Sequence, residues 1–216
     1  MTPFAQGMPG RYFGPEPGSK SHTVLQAARK VFLTHGFSAT TDMIQQMAGV
    51  SKSTVYAHYA NKETLFSAVI EAECQSFSDK VSAIRFQSGK LKDTLAALGS
   101  AYLDIVLTPE KLALYRIVIA EAPRFPRLAH KFYEAGPNAV VSIVARYLDI
   151  AVTSRELELG ALKTEELALV FISSIRSEPH LFNLTHPDKS LSPQKTTAWV
   201  EMVVNSFIHS YLRKDR

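Results

Sequence analysis

The sequence predicts an all-α protein, with an N-terminal three-helix helix-turn-helix domain followed by a larger helical domain. Three observations lead there. Apolar residues recur at helical spacing in one segment after another, as in Val24, Ala28, Val31 and Phe32. Glycine and proline fall between those segments, at Gly36, Gly49, Gly89, Pro109, Gly136-Pro137 and Pro193. The net charge of +4 lies wholly within residues 1–62, where six lysines and arginines face only Glu16 and Asp42. The positive excess therefore marks the N-terminal end as the part that meets a polyanion.

Taken in order, residues 1–18 mix four prolines with four glycines and have no helical or strand period, so a disordered tail is expected there. Ser21 to Thr34 reads as an amphipathic helix stopped by His35-Gly36, with Leu25, Phe32 and Phe37 roofing the two short helices after it. Between Thr40 and Phe66 the chain carries those two helical runs around Ala48-Gly49-Val50. Gly49 supplies the one backbone position that takes positive φ without Cβ strain. Ser51 then opens a second helix, its hydroxyl placed to accept from a first-turn amide, while Val50 and Val55 point back at Ile44 and Ala48. This is a helix-turn-helix.

The solvent side of its second helix presents Lys52, Ser53, Thr54, Tyr56, His58 and Tyr59, with no acidic residue between Asp42 and Glu63. Free amides, the positive end of the helix and a lysine together favour a phosphate at Ser51 and Lys52. Lys52, Tyr56, Tyr59, Lys62 and a threonine at Thr40 or Thr41 are expected to hold phosphates. Ser53 and Thr54, with Lys52 or His58, are expected at base edges. Asn61 caps the next helix.

Leu65 to Phe86 forms one long helical pattern with a stripe of Val69, Ile70, Cys74, Phe77, Val81 and Ile84. Cys74 reads there as a small buried hydrophobe. Helices then follow at Leu91–Leu107, Leu112–Ala122, Leu128–Ala135, Val140–Val152 and Thr164 to about Ser177. Arg116 and Arg176 interrupt apolar runs, which calls for a partner, such as Glu121 or Asp104 for Arg116, or for a ligand. On the ligand reading Phe77, Tyr102, Tyr115, Phe132, Tyr133 and Phe171 line an apolar pocket that the two arginines anchor. The last helix, from Ser192-Pro193 to Arg213, carries two stripes: Trp199, Met202, Val203, Ser206, Phe207 and Tyr211, and Val200, Val204 and Ile208. A terminal helix apolar on two sides needs two partners, one of them a second subunit.

Several classes are disfavoured. A single cysteine excludes an internal disulfide and fits a reducing cytoplasm. Neither a signal peptide nor a membrane-length apolar run is present. The seven histidines form no HxxxH or HExxH pair, so no metal is expected, and no nucleophile motif points to catalysis or a cofactor.

The residues Gly49-Val50-Ser51-Lys52, Tyr56, His58-Tyr59 and Asn61-Lys62-Glu63 with Leu65-Phe66 resemble the signature of TetR-family transcriptional repressors, over roughly residues 21–66. The Gly36-to-Ile44 connection is one residue shorter than the family's common spacing, which leaves Thr40 and Thr41 as alternative caps. Leu114 to Pro137 resembles the C-terminal domain of an AefR-like branch. The resemblance implies a DNA-binding domain at 19–66 and a ligand-binding and dimerisation domain at 67–216. It also implies a homodimer on a near-palindromic duplex operator, released by an effector; the mixture of aromatics, aliphatics and one or two arginines suits a small apolar or weakly anionic molecule in that role. The last two helices would pair with their symmetry mates, placing Val170, Ser174, Trp199, Val203, Phe207 and Tyr211 at the subunit contact. The alternative is a protein of the same fold that acts through a protein partner.

Overall fold

A computed structural model describes residues 14–82 and 89–211, apart from the side chains of 76–82. The expected tail up to residue 13, Ile84 and the side chains of Phe77 and Val81 lie outside the described residues. The helices are α1 (Lys20–His35), α2 (Thr41–Ala48), α3 (Lys52–His58), α4 (Lys62–Ser82), α5 (Leu91–Val106), α6 (Pro109–Glu121), α7 (Pro126–Tyr133), α8 (Ala139–Thr153), α9 (Thr164–Thr185) and α10 (Pro193–Tyr211). A 3-10 turn, Gly36–Ser38, links α1 to α2, and a π-helical turn, Glu134–Asn138, precedes α8. No strand occurs among the described residues, as the all-α expectation requires. No helix among them is long and apolar enough to cross a membrane.

The chain forms two compact units. The first holds residues 14–76 and 109–136, so α6 and α7 pack with the helix-turn-helix segment. Its core is aromatic. Phe32 and Phe66 meet at 4.8 Å between ring centroids, Phe37 lies 5.4 Å from Phe66 and 4.6 Å from Phe125, and Leu114 and Val118 of α6 close over them. Cys74 is buried in this core, where desolvation pushes its thiol up to about 12. It behaves as the small hydrophobe its place on the apolar stripe implies.

Among the described residues of the same unit, one charged side chain is buried. Glu73 on α4 is 9% exposed and accepts from the Arg29 guanidinium of α1. It also accepts from the Lys111 ammonium of α6 at 2.8 Å, and Lys111 bonds the Glu73 carbonyl at 2.7 Å. Burial alone pushes the carboxyl up, but hydrogen bonds from Arg29 and Lys111 and their positive charges outweigh it and hold Glu73 below the usual carboxylate range.

The second unit, with α5, α8, α9 and α10, packs around Leu95, Leu98, Leu103, Val144, Leu148, Leu167, Phe171, Ile175, Val200 and Val204. At Gly99 a Cβ would come within 2.9 Å of Ile175 and 3.1 Å of Val200, so the missing side chain lets α5 approach α9 and α10. The sequence places the end of α9 near Ser177, whereas the helix continues through Pro179 to Thr185. Proline at 179 has no N–H for the Ile175 carbonyl four residues back. The Trp199 indole of α10 donates to that carbonyl at 3.0 Å, so the interruption is satisfied from outside and the helix persists.

Glu73→Gln leaves Arg29 and Lys111 without a counter-charge and should cost about 2 kcal/mol in urea unfolding at neutral pH, on the low side of a broken buried pair because Arg29 remains partly solvated. A carboxyl held low when folded stabilises above its unfolded value, and that contribution is lost as pH falls through the folded value. The gap between wild type and variant should therefore close as the pH falls below about 4. A gap that persists in acid would contradict the ionised pairing.

Candidate nucleic-acid interface

The helix-turn-helix is fixed by local backbone chemistry. Thr40, in extended conformation, caps α2: its hydroxyl accepts from the Met43 N–H at 3.2 Å. That decides between the two threonines. Thr41 becomes the first helical residue, its hydroxyl 3.3 Å from that of Tyr56. Gly49 ends α2 with φ +65° and ψ +32°, the left-handed position expected of it. Ser51 caps α3, its oxygen accepting from the Thr54 N–H at 3.2 Å and lying 2.8 Å from the hydroxyls of Ser53 and Thr54. Ile44 and Val55, both fully buried, form the seam between the two helices.

With that seam inward, α3 turns Lys52, Ser53, Tyr56 and His58 to solvent, and Thr54 is half-buried. Tyr56 is 44% exposed. Lys52 pairs with Asp42 at 3.0 Å, with both side chains well exposed, and the hydrogen bond to Asp42 followed by its charge raises the lysine above its ordinary value. The face therefore combines one cation, several hydroxyls and a phenol on a short rigid helix. That set suits phosphate oxygens and base edges.

Two of the expected contact residues point inward. Tyr59 is 8% exposed and its hydroxyl lies 3.1 Å from that of Ser21, which ties the end of α3 to the start of α1. The spacing contained this signal: Tyr59 follows Val55 by four residues and so shares its buried face. Asn61 caps α4 as expected, accepting from the Thr64 N–H at 2.7 Å. Lys62 donates to the carbonyls of Phe37 at 2.9 Å and Ala39 at 3.2 Å. Its nitrogen sits 4.2 Å from the Phe37 ring centroid.

The expected pocket residues fall into two groups. In the first unit Tyr115 and Phe132 meet edge to face at 6.1 Å, while Arg116 and Tyr133 are exposed. In the second, Tyr102 and Phe171 are core side chains and Arg176 is half-buried. Phe77 lies outside the described side chains. Among the residues expected at a subunit contact, Val203 and Phe207 are buried in their own unit, where Phe207 packs edge-on to Phe171 at 5.1 Å. Ser174, Trp199 and Tyr211 are half-buried, and Val170 is exposed. No group of three or more metal-ligating side chains is assembled among the described residues.

Comparison with known proteins matches both ends of the chain. Residues 24–69 match the family of bacterial regulatory proteins of the tetR type, and residues 93–213 match the AefR-like transcriptional repressor C-terminal domain. Among curated relatives, the HTH-type transcriptional repressor AcnR of Corynebacterium glutamicum is 27% identical over 84 residues, which cover 37% of this chain and 45% of that protein. The HTH-type transcriptional regulator UidR of Escherichia coli is 28% identical over 111 residues, 49% of this chain and 53% of that one. The chain thus spans about half the length of the curated relatives it matches. Among solved structures, a TetR-family regulator from Mesorhizobium loti superposes with a TM-score of 0.84 at 23% identity, covering 90% of this chain and 97% of the other. The flavonoid-responsive regulator FrrA superposes with a TM-score of 0.76 at 33% identity, covering 91% and 98%.

A Cβ at Gly49 meets nothing within 4 Å, so the cost of Gly49→Ala is the left-handed backbone alone, about 1 kcal/mol in urea unfolding. A loss indistinguishable from zero would mean that the turn does not hold this conformation in solution.

Proposed function

Because the chain belongs to the TetR family of bacterial transcriptional regulators, we propose that it is a homodimeric, ligand-responsive repressor that lays α3 into the major groove of a near-palindromic operator. The exposed face of α3 carries this reading. Lys52 and Tyr56, with Thr40 and Thr41 at the start of α2, hold phosphates. Ser53, Thr54 and His58 meet base edges, and Ser51 presents the helix start. The exchange Lys52 makes is inexpensive: its pair with Asp42 is an exposed one, of a kind that is weak and screened by salt. A phosphate can replace Asp42 at little cost.

Dimerisation is proposed through α9 and α10. Val170 and Leu181 on α9 are 46% and 59% exposed, Met202 on α10 is 50% exposed, and Ser173, Ser177 and Ala198 beside them are also exposed. Large apolar side chains flanked by small ones suit the close approach of helices from a symmetry mate. Val203 and Phe207 support this face from within their own core.

Two α3 helices in such a dimer must sit about 34–36 Å apart, or a multiple of one DNA turn. An effector releases the DNA in proportion to its preference for a different separation; a tight ligand that binds both states equally releases nothing. The proposed effector is a small apolar or weakly anionic molecule. FrrA is by name flavonoid-responsive, and a planar, weakly acidic aromatic falls within that class.

On a duplex enriched by the protein from a random-sequence pool, Lys52→Ala should weaken binding and reduce the slope of log affinity against log salt by about one. An unchanged slope would remove Lys52 from the phosphate contacts. Met202→Glu should give monomers by light scattering and lose high-affinity binding to that duplex. A persistent dimer would place the subunit contact elsewhere.

A further inference from the structure

Lys62 stands at an unfavourable place for a cation. It is the first residue of α4, where the unpaired amides form the positive end of the helix and disfavour a second positive charge. A solvated lysine there would swing away. Instead the side chain is half-buried, with two of its three ammonium protons committed to the carbonyls of Phe37 and Ala39 and the nitrogen lying over the Phe37 ring.

Those two carbonyls belong to the connection that delivers α2. Phe37 sits in the 3-10 turn, and Ala39 is fully buried and immediately precedes Thr40, the α2 cap. From Thr40 the geometry runs on through Thr41 to the hydroxyl of Tyr56 on α3. The Phe37 ring is held as well, by Phe66 of α4, by Phe125 and by the Arg124 guanidinium 5.6 Å from its centroid. The ammonium therefore links the start of α4 to the start of α2, the two segments on either side of α3.

We propose that Lys62 is a positioning residue for DNA binding: it fixes the entry of α2, and through it Thr40, Thr41 and α3, from behind and makes no contact with the nucleic acid. This rests on the reading of α2 and α3 as the DNA-facing pair. A phosphate contact and a positioning contact have different signatures. Loss of a phosphate contact weakens binding to all duplexes alike and lowers the salt slope by about one. Loss of a positioning contact weakens selective binding, leaves the slope as it was and loosens α2 in the absence of DNA.

The test compares wild type, Lys62→Met and Lys62→Arg on the enriched duplex and on a random one, alongside amide hydrogen exchange of the DNA-free protein. Lys62→Met should lose at least tenfold in affinity for the enriched duplex at an unchanged salt slope, change less than twofold on the random duplex, and exchange the Met43 amide faster. Lys62→Arg, which keeps charge and donors, should recover most of the affinity and the Met43 protection. A slope lowered by about one, with equal losses on both duplexes, would overturn the inference and make Lys62 a phosphate contact; undiminished affinity would overturn it too. Should Lys62→Met lose its helical circular dichroism, Lys62→Gln, neutral but still a donor, carries the same comparison. A wild-type protein that enriches no duplex would defeat the DNA-binding reading itself, an outcome distinct from a changed slope in the variant.

Discussion

The N-terminal unit depends on one ring. Phe37, 6% exposed in a three-residue turn, touches Phe32 of α1, Phe66 of α4 and Phe125 ahead of α7, with Lys62 and Arg124 close to its face. Each aromatic pair contributes about 0.5–1.5 kcal/mol beyond the area it buries, so three of them outweigh any surface contact of the motif. Where that ring sits decides where the chain leaves α1 and enters α2. The cap at Thr40, the left-handed Gly49 and the Ile44–Val55 seam then carry the placement on to α3. The exposed face of α3 is thus the end of a chain of packed contacts, which gives a short helix a defined orientation.

Charges in this unit divide by burial, and the division matches what each can do. Glu73 sits between Arg29 and Lys111 on three different helices, largely out of water, where removing one partner is costly. It holds α1, α4 and α6 together. Lys52 and Asp42 form a pair of the same formal kind on the surface, where it is weak and screened. A weak pair leaves the lysine able to exchange its partner, as the proposed phosphate contact requires. Lys62 lies between these extremes, half-buried, with carbonyls for partners, and its role follows from its surroundings more than from its charge.

Much of this was legible in the sequence because it is local. Helical spacing located the helices, Gly49 marked the left-handed turn and Ser51 the cap, since each depends on residues only a few positions away. Long-range features were not legible. Pro179 reads as the end of a helix unless the Trp199 indole, twenty residues on, is known to bond the Ile175 carbonyl. Two apolar stripes on α10 say that two faces are covered, but not that Val203 and Phe207 turn into their own core while Met202 faces out. The inward turn of Lys62 depends on the 3-10 turn lying beside the start of α4, which no spacing encodes. Arg116 reads as a charge within an apolar run, and its exposure shows that the run faces the core on one side only.

Hydroxyl-radical footprinting of the protein on a duplex it has enriched tests the central claim most directly, because it reports both the helix-turn-helix contact and the spacing set by the dimer. Two equivalent protected patches related by a two-fold axis, centred about 10 base pairs apart or a multiple of that, are expected. A single patch, or protection spread evenly along the duplex, would contradict a symmetric pair of α3 helices reading two half-sites.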